Sequence, residues 1–466
     1  MKERNLLERN STIATIATPL GEGGIGVVLV SGPDTLRIAE GVFSVKNGRR
    51  RINGVSGGEL FYGTVIDPLN DAVIDEAIVS VWRCENSATG EDLVEINCHG
   101  GPKAVKNTLD AVKKAGATVV GWREFLGRGF ENGSIDFIQM EAQEALVSAK
   151  TRLSARVLLA QHQGLLSRCI SGLEADLEVI DDMISGGVTA GSMHEDASGR
   201  FAMFLRAIDK LLDSAVFGLA LSSPQRVSIA GAPNVGKSTL FNRLLGEERA
   251  IVHHVPGTTR DYVSEYFGAC GVPFKLIDAA GLRETDERVE REGVERAYEL
   301  HKEADKVILM LDGSRPVSTN EWTLIGTLGR EGVIPVINKI DAGVVLESAP
   351  VESAFDRPMC RISALKGLGL ESLEAALVAD VQAYIDRYQG NDCPVPVVFT
   401  KRQQSILADA RKTAAEILDG SSSTNTLDEK ALGLLRPGLR EFRCGGRQVR
   451  SRKVPESTAS ATDVTV

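Results

Sequence analysis

The sequence contains no CxxC pair, and its seven cysteines, Cys84, Cys98, Cys169, Cys270, Cys360, Cys393 and Cys444, fall at no zinc-like spacing. It has no apolar run of twenty residues and no secretory leader, since the opening MKERNLLERN is polar and charged. These absences lead us to expect a reduced, soluble, cytoplasmic protein without integral membrane association. A basic excess is also missing. The net charge of −10 excludes broad nonspecific attraction to nucleic acid, so an RNA substrate would need a local basic patch or a partner.

What is present is length and core-forming material: 466 residues, 43% of them hydrophobic, suffice for two to four domains. Residues 11 to 120 alternate β-branched runs with glycine turns, as in GIGVVLV, EAIVSVW and DLVEINCHG, with a helical stretch at Lys103–Ala115. This predicts an α+β module over 1–120. From Phe137 the apolar period becomes three and four, which predicts long helices in a first helical part over 121–222. Ser223–Pro224 interrupts that pattern, and RVSIAG opens a βα domain over 223–380 with strands expected at Val227–Ala230, Phe274–Ile277, Lys306–Leu311 and Val333–Ile337. A closing helix is expected at Glu371–Arg387, and helical sequence resumes at Lys401–Leu418 within a second part over 381–440. The expected architecture is therefore multidomain: an N-terminal α+β module, a discontinuous helical domain and an inserted P-loop α/β domain. Residues 441–466 show no persistent period and are expected to form a flexible tail.

The inserted domain carries the chemistry. GAPNVGKST at 231–239 matches GxxxxGK[ST] between an apolar strand and a helix start. Its glycines let consecutive N–H groups, including those of Asn234, Val235 and Gly236, wrap phosphate, and the helix start at Lys237, Ser238 and Thr239 adds unsatisfied donors. Lys237 suits the β and γ phosphates, and Ser238 suits Mg²⁺. DAAG at 278–281 follows a strand, so Asp278 can hold Mg²⁺ through water while the Gly281 N–H meets the γ phosphate. Between them lies PGTTRD, where Thr259, after Thr258, suits a switch contact to phosphate and metal. NKID at 338–341 supplies Asn338, Lys339 and Asp341; the carboxylate accepts from guanine N1–H and the exocyclic amine, a pattern adenine cannot offer. Ser363, Ala364 and Leu365 form the last base-contacting loop. Five signals in this order predict a Mg²⁺-dependent GTPase. Asn234 either satisfies local backbone or binds a monovalent cation. Leu282 stands where a glutamine would orient water, leaving Arg283, Glu284, Asp286, Glu287, Glu290 and Glu292 as candidates or as a solvated helix face.

Together with TIATIATPLGEGGIGVVLVSG, TGEDLVEINCHGG, GAPNVGKSTLFNRLL, VPGTTRDYVSE and DAAGLRETDERVEREG, these motifs resemble the MnmE (TrmE) family of tRNA-modification GTPases over residues 11 to 420. The resemblance implies a homodimer built through the N-terminal module, 5-formyltetrahydrofolate or a related tetrahydrofolate bound there, and G domains that meet when GTP and K⁺ are bound. It also implies an FAD-dependent MnmG-like partner in a heterotetramer or larger complex, and carbon-5 modification of the wobble uridine of tRNA. Residue by residue, Asn234 matches a K⁺ ligand, with His253, Val255 and Thr258 in the loop completing that site, and Glu290 matches the water-orienting glutamate. Glu124 and Arg128 match the folate-domain segment. The sequence also departs from the family: Glu22 and Leu29 replace arginines, and EFRCGGRQVRSRK replaces the FCIGK-like end, so Cys444 matches its cysteine only loosely. These departures motivate a second expectation, a regulatory GTPase or RNP-assembly factor without tRNA-modifying activity.

Overall fold

The computed structural model describes residues 11–46, 52–185, 191–246, 265–277, 303–390, 394–424, 433 and 435–444. Alternating apolar residues build a first sheet from β1 (Ile13–Ile16), β2 (Ile25–Ser31), β3 (Phe43–Val45), β4 (Glu59–Ile66), β5 (Val73–Trp82), β6 (Leu93–His99) and β7 (Thr118–Val119). Their order is β3-β4-β5-β6-β2-β1-β7, and among the described strands of this sheet only β1 and β7 pair in parallel. Phe61, Val65, Val79, Val81, Val94 and Ile96 share one face, which helices α1 (Thr35–Val42) and α2 (Pro102–Lys114) cover. On the other face, α3 (Trp122–Glu131) seats Phe125 against Ile13, Leu29 and Leu93. The boundary expected at 120 therefore precedes a helix that packs on this sheet. The cover is partial, because Leu60 on β4 is 71% exposed and Ile78 on β5 is 46% exposed.

The helices α4 (Phe137–Val147), α5 (Arg152–His162), α6 (Leu165–Ser185) and α7 (Gly191–Ser222) come next. Ile138, Leu166, Ile170, Phe201 and Phe204 from this stretch share one core with Phe399, Leu407, Leu439 and Phe442. Sequence on both sides of the inserted domain thus builds a single packed unit, and the helix Lys401–Thr424 extends past its expected end. The extended segment Val397–Phe399 threads through the unit with its N–H groups answered by side chains. Val397 N donates to Gln161 Oε1 (3.4 Å), Val398 N to Ser214 Oγ (3.0 Å) and Phe399 N to Gln403 Oε1 (3.0 Å).

The structure departs from two sequence expectations in the helical elements. The helix Leu435–Cys444 includes residues 441–444, which the sequence places in a flexible tail; Leu435, Leu439 and Phe442 are fully buried on one face. The closing helix expected at Glu371–Arg387 is two helices, Leu370–Leu377 and Gln382–Gly390, joined by a 3₁₀ turn at Ala379–Val381 that turns Val378 and Val381 into the core.

The inserted domain holds a second sheet of β8 (Gln225–Ala230), β9 (Glu265–Ala269), β10 (Val272–Leu276), β11 (Lys306–Asp312), β12 (Val333–Asn338) and β13 (Cys360–Arg361), in the order β13-β12-β11-β8-β10-β9. All neighbours are parallel except the β9–β10 hairpin. Every residue of β11 and β12 is buried, as parallel strands covered on both faces require. Ile308 and Met310 face one core, while Val307, Leu309 and Leu311 face the other. The first of these cores also takes Val157, Phe217, Ala220 and Leu221 from the helical unit.

Candidate nucleotide site

The loops of interest leave the carboxyl ends of β8, β11, β12 and β13, the edge where open α/β sheets bind ligands. After β8 the chain enters α8 (Lys237–Leu244) through three positive-φ residues, Gly231 (φ 150°), Asn234 (φ 63°) and Gly236 (φ 102°), which turn the backbone around a concavity. Gly236 has no room for a side chain: a Cβ there would stand 2.4 Å from Asn338 Nδ2. Gly231 is equally confined, with Met310 O 2.5 Å from its would-be Cβ. Val235 is buried and anchors the loop in the core. The N-cap of α8 is Gly236, which has no side chain to cap the helix, and the helix start points its N–H groups toward the concavity. Lys237 Nζ donates to the carbonyls of Gly231 and Ala232, both at 2.9 Å, and burial pulls its pKa below the ordinary lysine value. Asn234, Ser238 and Thr239 are exposed at the rim.

Asn338, at the end of β12, connects this cradle to the base loop. Its Nδ2 donates to Val235 O at 2.7 Å, and its Oδ1 accepts from Ala364 N at 2.9 Å. Both bonds are buried, and Asn338 is 3% exposed. Lys339 follows in a left-handed conformation (φ 65°), and its Nζ donates to Asp312 Oδ2 at 2.7 Å. Asp312 lies opposite Asn338 in the β11–β12 register and also accepts from Ser314 N and Oγ. Desolvation is the largest influence on the Asp312 carboxyl and pushes its pKa up. The bonds from Lys339 and Ser314 together outweigh it and hold the carboxyl below its ordinary value. Asp341 is likewise held low, first by the Ser363 hydroxyl and further by Lys366, whose Nζ is 3.7 Å from Asp341 Oδ2. An ionised Asp341 is the pure acceptor that guanine N1–H and its amine require.

The base loop is compact. Ser363 and Leu368 exchange backbone bonds of 3.0 and 3.2 Å, Ser363 is buried and Leu365 is 70% exposed. From the last turn of α8, Arg243 Nε donates to Ala364 O at 3.2 Å and Nη2 to Leu365 O at 2.6 Å. Sequence reading assigns no role to Arg243 or Asp312. The one available signal is a charge ending the apolar run KVILMLD. His253, Val255, Thr258, Thr259, Asp278, Gly281 and Glu290 lie outside the described residues, as does Cys393.

In the N-terminal module the two candidates separate. Glu124 is exposed on α3, whereas Arg128 is 4% exposed and donates to Ser11 O and to both Glu91 oxygens at 3.1 to 3.2 Å. Cys444 ends its helix half-buried, and desolvation raises its thiol pKa. Among the described residues no helix is long and apolar enough to cross a membrane, and no group of three His, Cys, Asp or Glu could hold a metal ion.

Comparison with known proteins gives a consistent result. Residues 12–134 match the family model "GTP-binding protein TrmE N-terminus", and residues 226–339 match "50S ribosome-binding GTPase". The chain is 38% identical over 378 residues to the tRNA modification GTPase MnmE of Alkaliphilus oremlandii, covering 79% of this chain and 81% of that one. It is 36% identical over 433 residues to that of Bacillus licheniformis, covering 91% and 93%. Among solved structures, the G domain of the T. maritima FeoB iron transporter aligns at 31% identity with a TM-score of 0.26, covering 34% of this chain and 99% of that domain.

Proposed function

Because the chain belongs to the MnmE family of tRNA-modification GTPases, we propose that it couples GTP hydrolysis to modification of carbon 5 of the wobble uridine in tRNA. The observation that carries this reading is the buried amide of Asn338. It joins a phosphate cradle to a base loop in a chain that aligns with MnmE relatives over most of its length.

In this reading the cradle N–H groups and Lys237 hold the triphosphate, while Asp341 and the Ser363–Leu365 loop hold guanine. Lys237, already stripped of much of its water, exchanges two carbonyl partners for phosphate oxygens. Ser238 stands at the open rim and, with Thr259 and Asp278, would hold Mg²⁺; when bound, that ion offsets charge on the β and γ phosphates. Asn234 presents its exposed side chain at the same rim and, with His253, Val255 and Thr258, would hold K⁺ in place of an arginine finger. Glu290 would orient the attacking water. Switch segments that order with one nucleotide state and release with another would then drive the conformational change.

The partners follow from the same reading. A homodimer would form through the uncovered face of the N-terminal sheet, where Leu60, Tyr62 and Ile78 are exposed side by side. An FAD-dependent MnmG-like partner would supply redox chemistry and part of the tRNA contact that an acidic chain cannot make by net attraction. Tetrahydrofolate fits less well. Arg128 is committed to Glu91 and Ser11, and Leu29 is core, so neither offers a free cation to a folate carboxylate.

The test is a comparison of wobble-uridine nucleosides in tRNA from cells with and without the protein. The carbon-5 modification should disappear in its absence. Unchanged nucleosides alongside intact GTP hydrolysis would refute the tRNA assignment and leave a regulatory GTPase.

A further inference from the structure

The base loop is braced by a residue outside every nucleotide motif. We propose that Arg243 is a positioning residue that locks the guanine loop to the phosphate-binding helix, so that the two halves of the site keep one spacing. This rests on the reading of Ser363, Ala364 and Leu365 as the base loop.

Helix α8 begins with Lys237 and Ser238 at the cradle and carries Arg243 in its last turn, beside the base loop. Two donors of one guanidinium reach two successive carbonyls, Ala364 O at 3.2 Å and Leu365 O at 2.6 Å. On the opposite side the Ala364 N–H is held by Asn338 Oδ1, so the loop is gripped on both sides. Gly367 (φ 73°) lets the chain double back across the guanidinium, with a would-be Cβ 3.6 Å from Arg243 Cζ. Lysine can supply the charge but not this two-pronged geometry.

Removing the brace leaves two carbonyls that water can satisfy, so the fold should persist. What is lost is preorganisation. A nucleotide spans the cradle and the loop at once, and a loop free to shift must be ordered at the cost of binding energy.

The experiment uses the full chain with Arg243→Ala and Arg243→Lys, read by binding and release of fluorescent GDP and by steady-state hydrolysis. Arg243→Ala should weaken GDP about tenfold, speed its release and raise KM by a similar factor, with kcat within about twofold. Arg243→Lys should fall between Ala and the parent. The ratio of GDP to IDP affinity should hold, because the exocyclic amine is read by Asp341. GDP affinity and release within twofold of the parent would overturn the inference, as would a fall in kcat at unaltered KM. A parent chain that binds no guanine nucleotide would instead refute the base-loop reading beneath it.

Discussion

Asp341 and Asn338 share one short motif but divide its work. Asp341 is a carboxylate whose pKa the Ser363 hydroxyl lowers, and in its ionised form it is suited to accept two hydrogen bonds from a base edge. Asp341→Asn replaces one acceptor by a donor, which suits the second carbonyl of xanthine. The variant should lose at least about a hundredfold in GTP affinity and gain XTP binding; an unaltered preference in nucleotide competition would contradict the assignment. Asn338, by contrast, is a buried cross-link. Its base-reading motif was legible from residue type and order, but its bonds to Val235 and Ala364, 103 and 26 positions away, leave no local trace. Asp312 was hidden for the same reason, since its value lies in the β11–β12 register that sets it beside Lys339. Its carboxyl is lower in pKa folded than unfolded. It therefore favours folding above the ordinary carboxylate range and loses that contribution as pH falls through the lowered folded value.

Among the elements, the helix Leu435–Cys444 shows how a local signal can mislead. It runs past residue 440, where the apolar period stops being legible, and Pro437 is harmless in its first turn, where the missing N–H has no helical partner. The apolar triplet Leu435, Leu439 and Phe442 then closes the helical core. Arg402 joins this contact: it pairs with Glu141 at 2.8 Å through two nitrogens, donates to Phe442 O at 3.0 Å and lies over the rings of Phe137 and Phe442. Arg443 and Arg436 add bonds to Glu174 and Asp181 across to α6. Phe442→Ala should cost about 3 to 5 kcal/mol and lower the unfolding transition of the helical core in urea, whereas Arg440→Ala, at an exposed position on the same helix, should change it by less than about 0.5 kcal/mol. Equal transitions for the two variants would mean that this helix is not part of the core. The central strands were easier to anticipate, because a strand buried on both faces is a continuous apolar run. The edge strand β9 and the two-residue β13 carry no such run, so neither is legible in the sequence.

At the scale of the molecule, insertion of the G domain between two helical segments was legible from the change of period on either side. Its consequence, a core shared across the boundary, was not. Phe217 and Val157 of the helical unit pack with Phe274 and Leu276 of the G domain, and Gly271, at the β9–β10 turn, sits against Leu153 at the start of α5. That hairpin precedes the position of Asp278 in sequence, and it rests directly on the helical unit.

The same scale decides how copies of the chain would meet. The N-terminal sheet has a fully covered face and a second face that α3 covers only around Leu29 and Phe125. Tyr62 lies directly opposite Ile78 on the bare part of that face, with Leu60 two residues along β4, and a monomer would leave all three in water. Burying such a patch against its own copy gives a two-fold interface with an apolar centre, and a charge placed at that centre loses its hydration without gaining a partner. Ile78→Glu should therefore halve the molar mass measured by light scattering at micromolar concentration, leaving GTP hydrolysis measurable because the cradle stands on a separate sheet. A parent chain that is already monomeric there, or a variant that keeps the parent's mass, would remove this face as the site of dimerisation.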